Sequence, residues 1–176
     1  MNLPNILTLF RIVLIPFFIV SFYQSSLVAA SIFLIASLTD VLDGYLARLR
    51  SEVTQFGKFL DPIADKLLIL SALILLVESG RVPAWLAIVI IGREFSVTGF
   101  RAIASSEGVV ISAEGTGKIK MLLQIVSILV LTVDFLSPLF HQVGFSLLLI
   151  SMVLAVFSAV QYFIKFGQRL NLLKVK

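Results

Sequence analysis

TDVLDGYLAR at residues 39–48 and GKFLDPIADK at residues 57–66 are two polar segments in an otherwise apolar chain. Four of the ten acidic residues of the chain lie in these two segments. On either side, the sequence continues into apolar runs that are long enough to cross a bilayer. Ionisable residues beside the hydrocarbon region of a membrane are costly and mark functional sites. These carboxylates therefore indicate a site near the membrane surface.

The spacing of the two segments predicts two adjacent helices. We expect the first helix to end near Arg48 and Pro62 to help start the second, because a proline in a first helical turn sacrifices no backbone hydrogen bond. The predicted loop from Leu49 to Gly57 is short enough to make the two helices antiparallel neighbours. Their polar ends then lie on the same side of the membrane.

Four aspartates share faces of these predicted helices. Asp40 and Asp43 are three positions apart, which places both on one face of the first helix. Asp61 and Asp65 are four positions apart and share a face of the second. Four converging carboxylates repel one another without cations between them, and hard oxygen ligands suit Mg²⁺ or Mn²⁺. The pattern predicts a divalent metal site, with two ions expected; the alternative is that these side chains face water or pair with neighbouring Arg and Lys residues.

The two segments together form the pattern D-x2-D-G-x2-A-R-x8-G-x3-D-x3-D. Its fixed positions are Asp40, Asp43, Gly44, Ala47, Arg48, Gly57, Asp61 and Asp65. This pattern resembles the signature of the CDP-alcohol phosphotransferases, which are integral membrane enzymes that move a phosphatidyl or similar group from a CDP-linked donor to an alcohol. The resemblance implies a metal-dependent transferase, and it suggests a homodimer.

The composition is that of a membrane protein. The 176 residues are 59% hydrophobic and 14% charged, with a mean hydropathy of +1.09. The chain has no cysteine, which excludes disulfides and thiolate metal sites. Its net charge of +4 comes from basic residues beside apolar segments, so anionic lipids and phosphorylated substrates are expected partners rather than nucleic acid.

Six apolar segments are each close to the length of about 20 residues that spans a bilayer. They are approximately Ile6–Tyr23, Leu27–Ala47, Leu60–Ser79, Pro83–Ile103, Ile119–Leu139 and Val143–Phe166. With six spans, the basic residues of the termini and of two loops fall on one side, and Arg81 alone falls on the other. We therefore predict an all-α integral membrane protein, a single domain over residues 1–176, with six transmembrane helices and both termini in the cytoplasm. This topology places His141 in an outer loop and Asp134 near the outer face, and neither is expected to act in the site.

A second polar group lies at the cytoplasmic end of the fourth predicted span and the start of the fifth. Arg93, Glu94 and Arg101 end the fourth span, and Gly115–Lys120 opens the fifth. Glycines before a helix N-terminus leave backbone N–H groups available to an anion, and lysines there add positive charge. The group predicts a phosphate-binding site; the alternative is the ordinary excess of positive charge in a cytoplasmic loop.

Further segments resemble the bacterial phosphatidylglycerophosphate synthases within this family. They are NLPNILTLFR at residues 2–11, GREF at 92–95 continuing to Arg101, and GKIK at 117–120 with Gln124. This resemblance implies CDP-diacylglycerol as donor, sn-glycerol 3-phosphate as acceptor, CMP and phosphatidylglycerol phosphate as products, and a bacterial inner membrane location.

The resemblance also implies a role for individual residues. Asp40, Asp43, Asp61 and Asp65 would ligate the metal ions, with Asp65 also the general base for the acceptor hydroxyl. The expected nucleotide and diphosphate contacts are Gly44, Ala47, Arg48, Asn5 and Thr8. The expected contacts to the acceptor phosphate are Arg93, Arg101, Lys118 and Lys120.

Two other functions remain open at this point. A sibling enzyme with the same donor would use serine, inositol phosphate or phosphatidylglycerol as acceptor, but serine would not require several cations for a phosphate. A cation transporter would use the aspartates as an ion path. Against a transporter, the carboxylates crowd one membrane surface, and no predicted span has a partner carboxylate at depth.

Overall fold

The computed structural model describes the backbone of residues 3–50, 55–106 and 116–167, and the side chains of residues 6–39, 63–105 and 119–164. Within these ranges the chain is all-helical, with six α-helices and no strand. The helices are α1 (Leu3–Gln24), α2 (Ser26–Arg50), α3 (Gln55–Glu78), α4 (Ala84–Ser106), α5 (Thr116–Thr132) and α6 (Pro138–Gly167), with a 3-10 turn at Asp134–Leu136. Each predicted apolar segment corresponds to one helix, so the predicted helical fold is confirmed.

The start of α3 differs from the prediction. The helix begins at Gln55, seven residues before Pro62, so the proline lies inside α3 rather than in its first turn. Helix α2 likewise continues to Arg50, beyond the predicted end. Both helices thus extend into the predicted loop from Leu49 to Gly57, and residues 51–54 lie outside the described part of the chain.

The end of α5 also differs from the prediction, which continued the fifth segment to Leu139. Helix α5 ends at Thr132, and Arg81 reaches its last turn, where carbonyl groups have no partner within the helix. Arg81 Nη1 donates hydrogen bonds to the carbonyl oxygens of Leu131 (3.3 Å) and Thr132 (3.0 Å). Helix α6 then starts at Pro138, a favoured first helical residue.

Polar side chains from several helix ends meet at this end of the bundle. Arg81 Nε lies 3.1 Å from Asp134 Oδ1, and His141 Nδ1 lies 3.0 Å from the other oxygen of the same carboxylate. Tyr23 Oη donates to Glu78 at 2.5 Å, which joins the ends of α1 and α3. His141 lies in the first turn of α6, so its prediction as a loop residue was wrong. His141 and Asp134 therefore take part in contacts that join the helix ends here.

The core lies between the helices and consists of aliphatic and aromatic side chains. Helix α1 packs on α2 and α3, and α6 packs on α4 and α5. Fully buried core residues include Phe18, Phe33, Leu73, Leu76, Leu86, Ile128, Leu131 and Leu148. Phe18 and Phe33 pack ring to ring across α1 and α2 with centroids 5.6 Å apart, a favourable aromatic separation.

Helices α5 and α6 approach most closely at Gly144. A Cβ atom on this glycine would lie 2.8 Å from Leu131 Cγ and 3.2 Å from the Leu131 backbone nitrogen. The Ser127 hydroxyl donates a 2.6 Å hydrogen bond to the Gly144 carbonyl across the same contact. Small residues at helix crossings allow close packing and interhelical hydrogen bonds in membrane proteins. Gly144 therefore sets the spacing of α5 and α6.

The outer surface of the bundle is apolar. Large hydrophobic side chains are exposed on several helices, including Phe17, Ile88 and Leu122 at 61%, 67% and 64%. Such a surface is expected where lipid, rather than water, surrounds a protein. Among the described residues, Ile6–Gln24 and Pro138–Ile164 are long and apolar enough to span a membrane, and Ser26–Thr39 and Ile119–Thr132 are shorter apolar helices. These features support a membrane protein, and the six-span topology stays a prediction.

Candidate active site

A cavity of about 340 Å³ opens between α3, α4, α5 and α6. One part of its wall is apolar and includes Ile69, Leu73 and Ile90. The polar part of its wall consists of Asp65, Lys66, Arg93, Glu94, Thr98, Arg101, Lys120, Gln124, Ser158 and Tyr162. A concave site with apolar walls and converging polar groups is typical of a small-molecule or substrate site.

The cavity brings together predicted residues that are far apart in sequence. Asp65 comes from α3, Arg93 and Arg101 from α4, and Lys120 from α5. The predicted general base and three predicted phosphate ligands thus share one cavity. Their individual roles stay predictions, and the side chain of Lys118 lies outside the described part of the chain.

Glu94 connects the two best-buried cations of the cavity. Its Oε1 atom accepts from Arg93 Nη1 at 2.5 Å and from Lys120 Nζ at 3.1 Å. Arg93 Nε donates in addition to the Ala155 carbonyl of α6 at 3.0 Å. Charge-assisted contacts of this kind are short and fix geometry. Glu94 therefore holds Arg93 and Lys120 at defined positions on the wall.

Arg101 is oriented by Tyr162 of α6. Arg101 Nε donates to the Tyr162 hydroxyl at 3.2 Å, and its Cζ atom lies 5.4 Å from the centre of the tyrosine ring. Phe100 packs edge-to-face on both Tyr162 and Phe163, which keeps the ring in place. Tyr162 was not predicted from the sequence; its sequence signal is a phenol in a largely apolar segment.

Helices α2 and α3 carry the aspartate signature. Residues 40, 43, 44, 47 and 48 lie within α2, residues 61 and 65 lie within α3, and the two helices contact each other. Among the described side chains, which include Asp65 but not Asp40, Asp43 and Asp61, no three acidic or histidine residues form a metal-binding group. The convergence of the four carboxylates therefore stays a prediction.

The remaining predicted contacts lie on α2 or α1. The side chains of Ala47, Arg48 and Asn5 and the surroundings of Gly44 are outside the described part of the chain. Thr8 is buried in α1 and does not line the cavity, so its predicted nucleotide contact is untested.

Arg11 is a buried residue that the sequence interpretation used only for orientation. It is 0% exposed, and its Nε atom donates to the Ala36 carbonyl of α2 at 3.3 Å. Thr39 Oγ1 donates to the same carbonyl at 2.7 Å. Ala36 lies four residues before Asp40, so this contact joins α1 to the turn of α2 that precedes the first signature aspartate.

Comparisons with known proteins identify the family of this chain. The family profile described as CDP-alcohol phosphatidyltransferase matches residues 1–160. A Bacillus subtilis (strain 168) protein named CDP-diacylglycerol–glycerol-3-phosphate 3-phosphatidyltransferase is 44% identical over 93% of this chain and 94% of its own length. A protein of the same name from Rickettsia bellii is 39% identical over 92% and 93%. A Mycobacterium tuberculosis (strain H37Rv) protein named probable phosphatidylglycerophosphate synthase is 39% identical over 92% of this chain and 79% of its own. With a profile match across most of the sequence and relatives aligned over nearly its whole length, the chain belongs to the CDP-alcohol phosphatidyltransferase family.

Proposed function

We propose that this protein transfers the phosphatidyl group of CDP-diacylglycerol to sn-glycerol 3-phosphate, forming phosphatidylglycerol phosphate and CMP. Relatives whose names state this reaction align over more than nine-tenths of the chain. The observation that carries the proposal is the cavity, in which Asp65 of the family signature shares a wall with Arg93, Arg101 and Lys120. A carboxylate beside several cations suits an acceptor that has both a hydroxyl group to deprotonate and a phosphate to bind.

The charge of the cavity supports a phosphorylated acceptor. Among the described residues, its lining includes the cations Lys66, Arg93, Arg101 and Lys120 and the carboxylates Asp65 and Glu94. The excess of two positive charges matches a phosphomonoester, which carries about −1.5 to −2 at neutral pH. Serine, the acceptor of a sibling reaction, has no phosphate to balance this excess. The cavity therefore favours glycerol 3-phosphate over serine.

The signature aspartates suit a pair of hard divalent cations. We assign Asp40, Asp43, Asp61 and Asp65 as ligands of Mg²⁺ or Mn²⁺, since carboxylate oxygens are the ligands that these ions prefer. The half-buried position of Asp65 at the cavity, and the contact of α2 with α3, support this assignment. When bound, the ions would neutralise the diphosphate of the donor and the charge on the departing CMP.

The reaction is a displacement at phosphorus. Asp65 accepts the proton of the acceptor's primary hydroxyl, whose oxygen bonds to the phosphorus that carries diacylglycerol. The bond from that phosphorus to the CMP oxygen breaks, and CMP leaves with the electron pair. Arg93, Arg101 and Lys120 hold the acceptor phosphate, which orients the hydroxyl for attack.

The donor would bind beside the signature residues of α2. Gly44 and Ala47 leave room for the nucleotide against α2, and Arg48 contacts the diphosphate. Asn5, Thr8 and Lys118 complete the proposed contacts, the first two to the nucleotide and the last to the acceptor phosphate. The exposed apolar surface of the bundle would admit the acyl chains from the bilayer.

We further propose a multi-pass protein of the bacterial inner membrane. Six spans, both termini and the cavity on the cytoplasmic side, and a homodimeric assembly are consistent with the six helices and the distribution of basic residues. Cytoplasmic exposure gives the cavity access to a water-soluble acceptor.

An acceptor comparison tests the proposal. Purified protein would receive CDP-diacylglycerol and Mg²⁺ with glycerol 3-phosphate, serine, inositol phosphate or phosphatidylglycerol, and the lipid product would be identified by mass spectrometry. We expect phosphatidylglycerol phosphate with the first acceptor and little product with the others. A lipid product with serine at equal or higher rate, or no product with glycerol 3-phosphate, would contradict the proposed function.

A further inference from the structure

Gln124 is a buried amide without an evident partner at the wall of the cavity. Its side chain is 7% exposed, and its Nε2 atom makes no hydrogen bond to any part of the chain that the structure describes. A buried donor without an acceptor costs free energy comparable to a lost hydrogen bond, and native proteins rarely leave one unsatisfied. Neither the proton transfer nor the phosphate binding described above uses this amide.

Gln124 lies close to Lys120, one of the proposed phosphate ligands. It lies four residues after Lys120 in α5, so the two side chains share a face of the helix, with Cβ atoms about 5–6 Å apart. Both residues line the cavity. Since α5 runs from the signature end of the bundle towards Thr132, Gln124 lies one turn deeper than Lys120. A ligand whose phosphate contacts Lys120 can therefore place its next few atoms within reach of Gln124.

The surroundings indicate that the missing partner belongs to a ligand. The lining of the cavity has an apolar part and also polar residues such as Thr98 and Ser158, and none of them accepts a hydrogen bond from Gln124 Nε2. The terminal torsion of glutamine has a broad energy profile, so a small rotation turns Nε2 into the cavity. An amide provides a donor and an acceptor together, and a hydroxyl group can engage both, whereas an ester carbonyl of a lipid can engage only the donor.

We propose that Gln124 hydrogen-bonds the secondary hydroxyl of the glycerol 3-phosphate acceptor. This inference rests on the proposed function and adds a specificity-determining contact to it. The cations hold the phosphate, Asp65 receives the proton of the primary hydroxyl, and Gln124 recognises the hydroxyl between them. Acceptors that have the phosphate and the primary hydroxyl but lack the secondary hydroxyl leave the amide unsatisfied and react poorly.

The test compares glycerol 3-phosphate with the monophosphate of propane-1,3-diol, which lacks only the secondary hydroxyl. For the unmodified protein we expect kcat/KM to be about 10- to 100-fold lower with the analogue, the range expected when a buried polar group is left unpaired. Gln124→Leu should lose activity with glycerol 3-phosphate and not with the analogue. The ratio of kcat/KM for glycerol 3-phosphate to kcat/KM for the analogue then falls to about threefold or less. Gln24→Leu, at the exposed end of α1, is the matched control and should keep the original ratio.

The outcomes separate this inference from the function on which it rests. If the unmodified protein releases CMP with glycerol 3-phosphate but Gln124→Leu keeps the full discrimination, or affects only the KM for CDP-diacylglycerol, the contact to the hydroxyl is wrong. If the unmodified protein releases no CMP with either acceptor, the proposed function is wrong and the inference falls with it. Should the leucine variant fail to purify as a folded protein, Gln124→Glu, which keeps the length and one acceptor, must also reduce the ratio.

Discussion

Lys120 Nζ lies 3.1 Å from Glu94 Oε1, which pairs a cation of α5 with a carboxylate of α4 at the wall of the candidate active site. The same oxygen accepts from Arg93, so one carboxylate separates two cations that would otherwise repel each other. Lys120 is 9% exposed, and a cation at that depth is costly without a partner. Glu94 thus allows the fold to keep positive charge where a phosphate is expected to bind.

Removal of this carboxylate should weaken both the fold and the acceptor site. We expect Glu94→Ala to lower the free energy of unfolding by about 1–3 kcal/mol, because Arg93 and Lys120 lose a shared partner and repel each other. The KM for glycerol 3-phosphate should rise in the same variant. Thermal unfolding in detergent and initial rates measure the two effects. Glu94→Gln keeps an oxygen acceptor and should lose less; an alanine variant as stable as the unmodified protein would contradict this role.

Loss of a phosphate ligand should act on the acceptor rather than on the donor. We expect Arg101→Ala and Lys120→Ala each to raise the KM for glycerol 3-phosphate by about 10- to 100-fold, the scale of a hydrogen bond to a charged group. The KM for CDP-diacylglycerol should change much less. Tyr162→Phe removes only the hydroxyl that accepts from Arg101, so its effect should be smaller. Unchanged acceptor KM values in both alanine variants would move the phosphate site elsewhere.

The signature aspartates should be essential for turnover but not for folding. Asp61→Asn or Asp65→Asn keeps the side-chain size and removes the charge required for metal binding and, at Asp65, for proton transfer. We expect kcat to fall more than about 100-fold, with membrane insertion unchanged. Asp134→Asn, at the opposite end of the bundle, is the matched control and should keep most of the activity. Substantial turnover by the Asp61 variant would contradict the metal assignment.

The contact between α5 and α6 should not tolerate a methyl group at Gly144. The added Cβ would meet Leu131 side-chain and backbone atoms at 2.8–3.2 Å, so we expect Gly144→Ala to destabilise the fold by about 1–3 kcal/mol. A Cβ at Gly99 has no neighbour within 4 Å, which makes Gly99→Ala the control for the change of residue type. Equal unfolding temperatures for Gly144→Ala and Gly99→Ala would contradict this prediction. They would show that α5 and α6 move apart to fit the methyl group without loss of stability.

The helices were predictable from the sequence, but the end of α2, the start of α3 and the end of α5 were not. Apolar runs near 20 residues identify six helices because hydrocarbon requires backbone groups to bond within each segment. At the end of α5, the last carbonyl groups accept hydrogen bonds from Arg81, which lies 51 positions before Thr132. Pro62 lies inside α3 although its residue type favours a first turn. The local sequence pattern does not reveal a contact between residues that are far apart in the chain. It also does not reveal a helix that starts several residues before its proline.

The candidate site was predictable where residues belong to a local pattern or a family motif. Asp65, Arg93, Arg101 and Lys120 came from such motifs, and they line one cavity. The pairing of Glu94 with Lys120 spans 26 positions, and that of Arg101 with Tyr162 spans 61. These contacts depend on how α4 packs against α5 and α6, which helical periodicity alone does not determine.

In the proposed reaction, release of CMP from CDP-diacylglycerol requires a phosphorylated acceptor and a divalent cation together. The most direct measurement is CMP formation by purified protein with glycerol 3-phosphate and Mg²⁺ supplied together, each omitted in turn, and with an excess of EDTA. We predict CMP and phosphatidylglycerol phosphate in equal amounts when both are present, and neither product when one is missing. CMP release that persists without glycerol 3-phosphate, or that survives EDTA undiminished, would contradict the account.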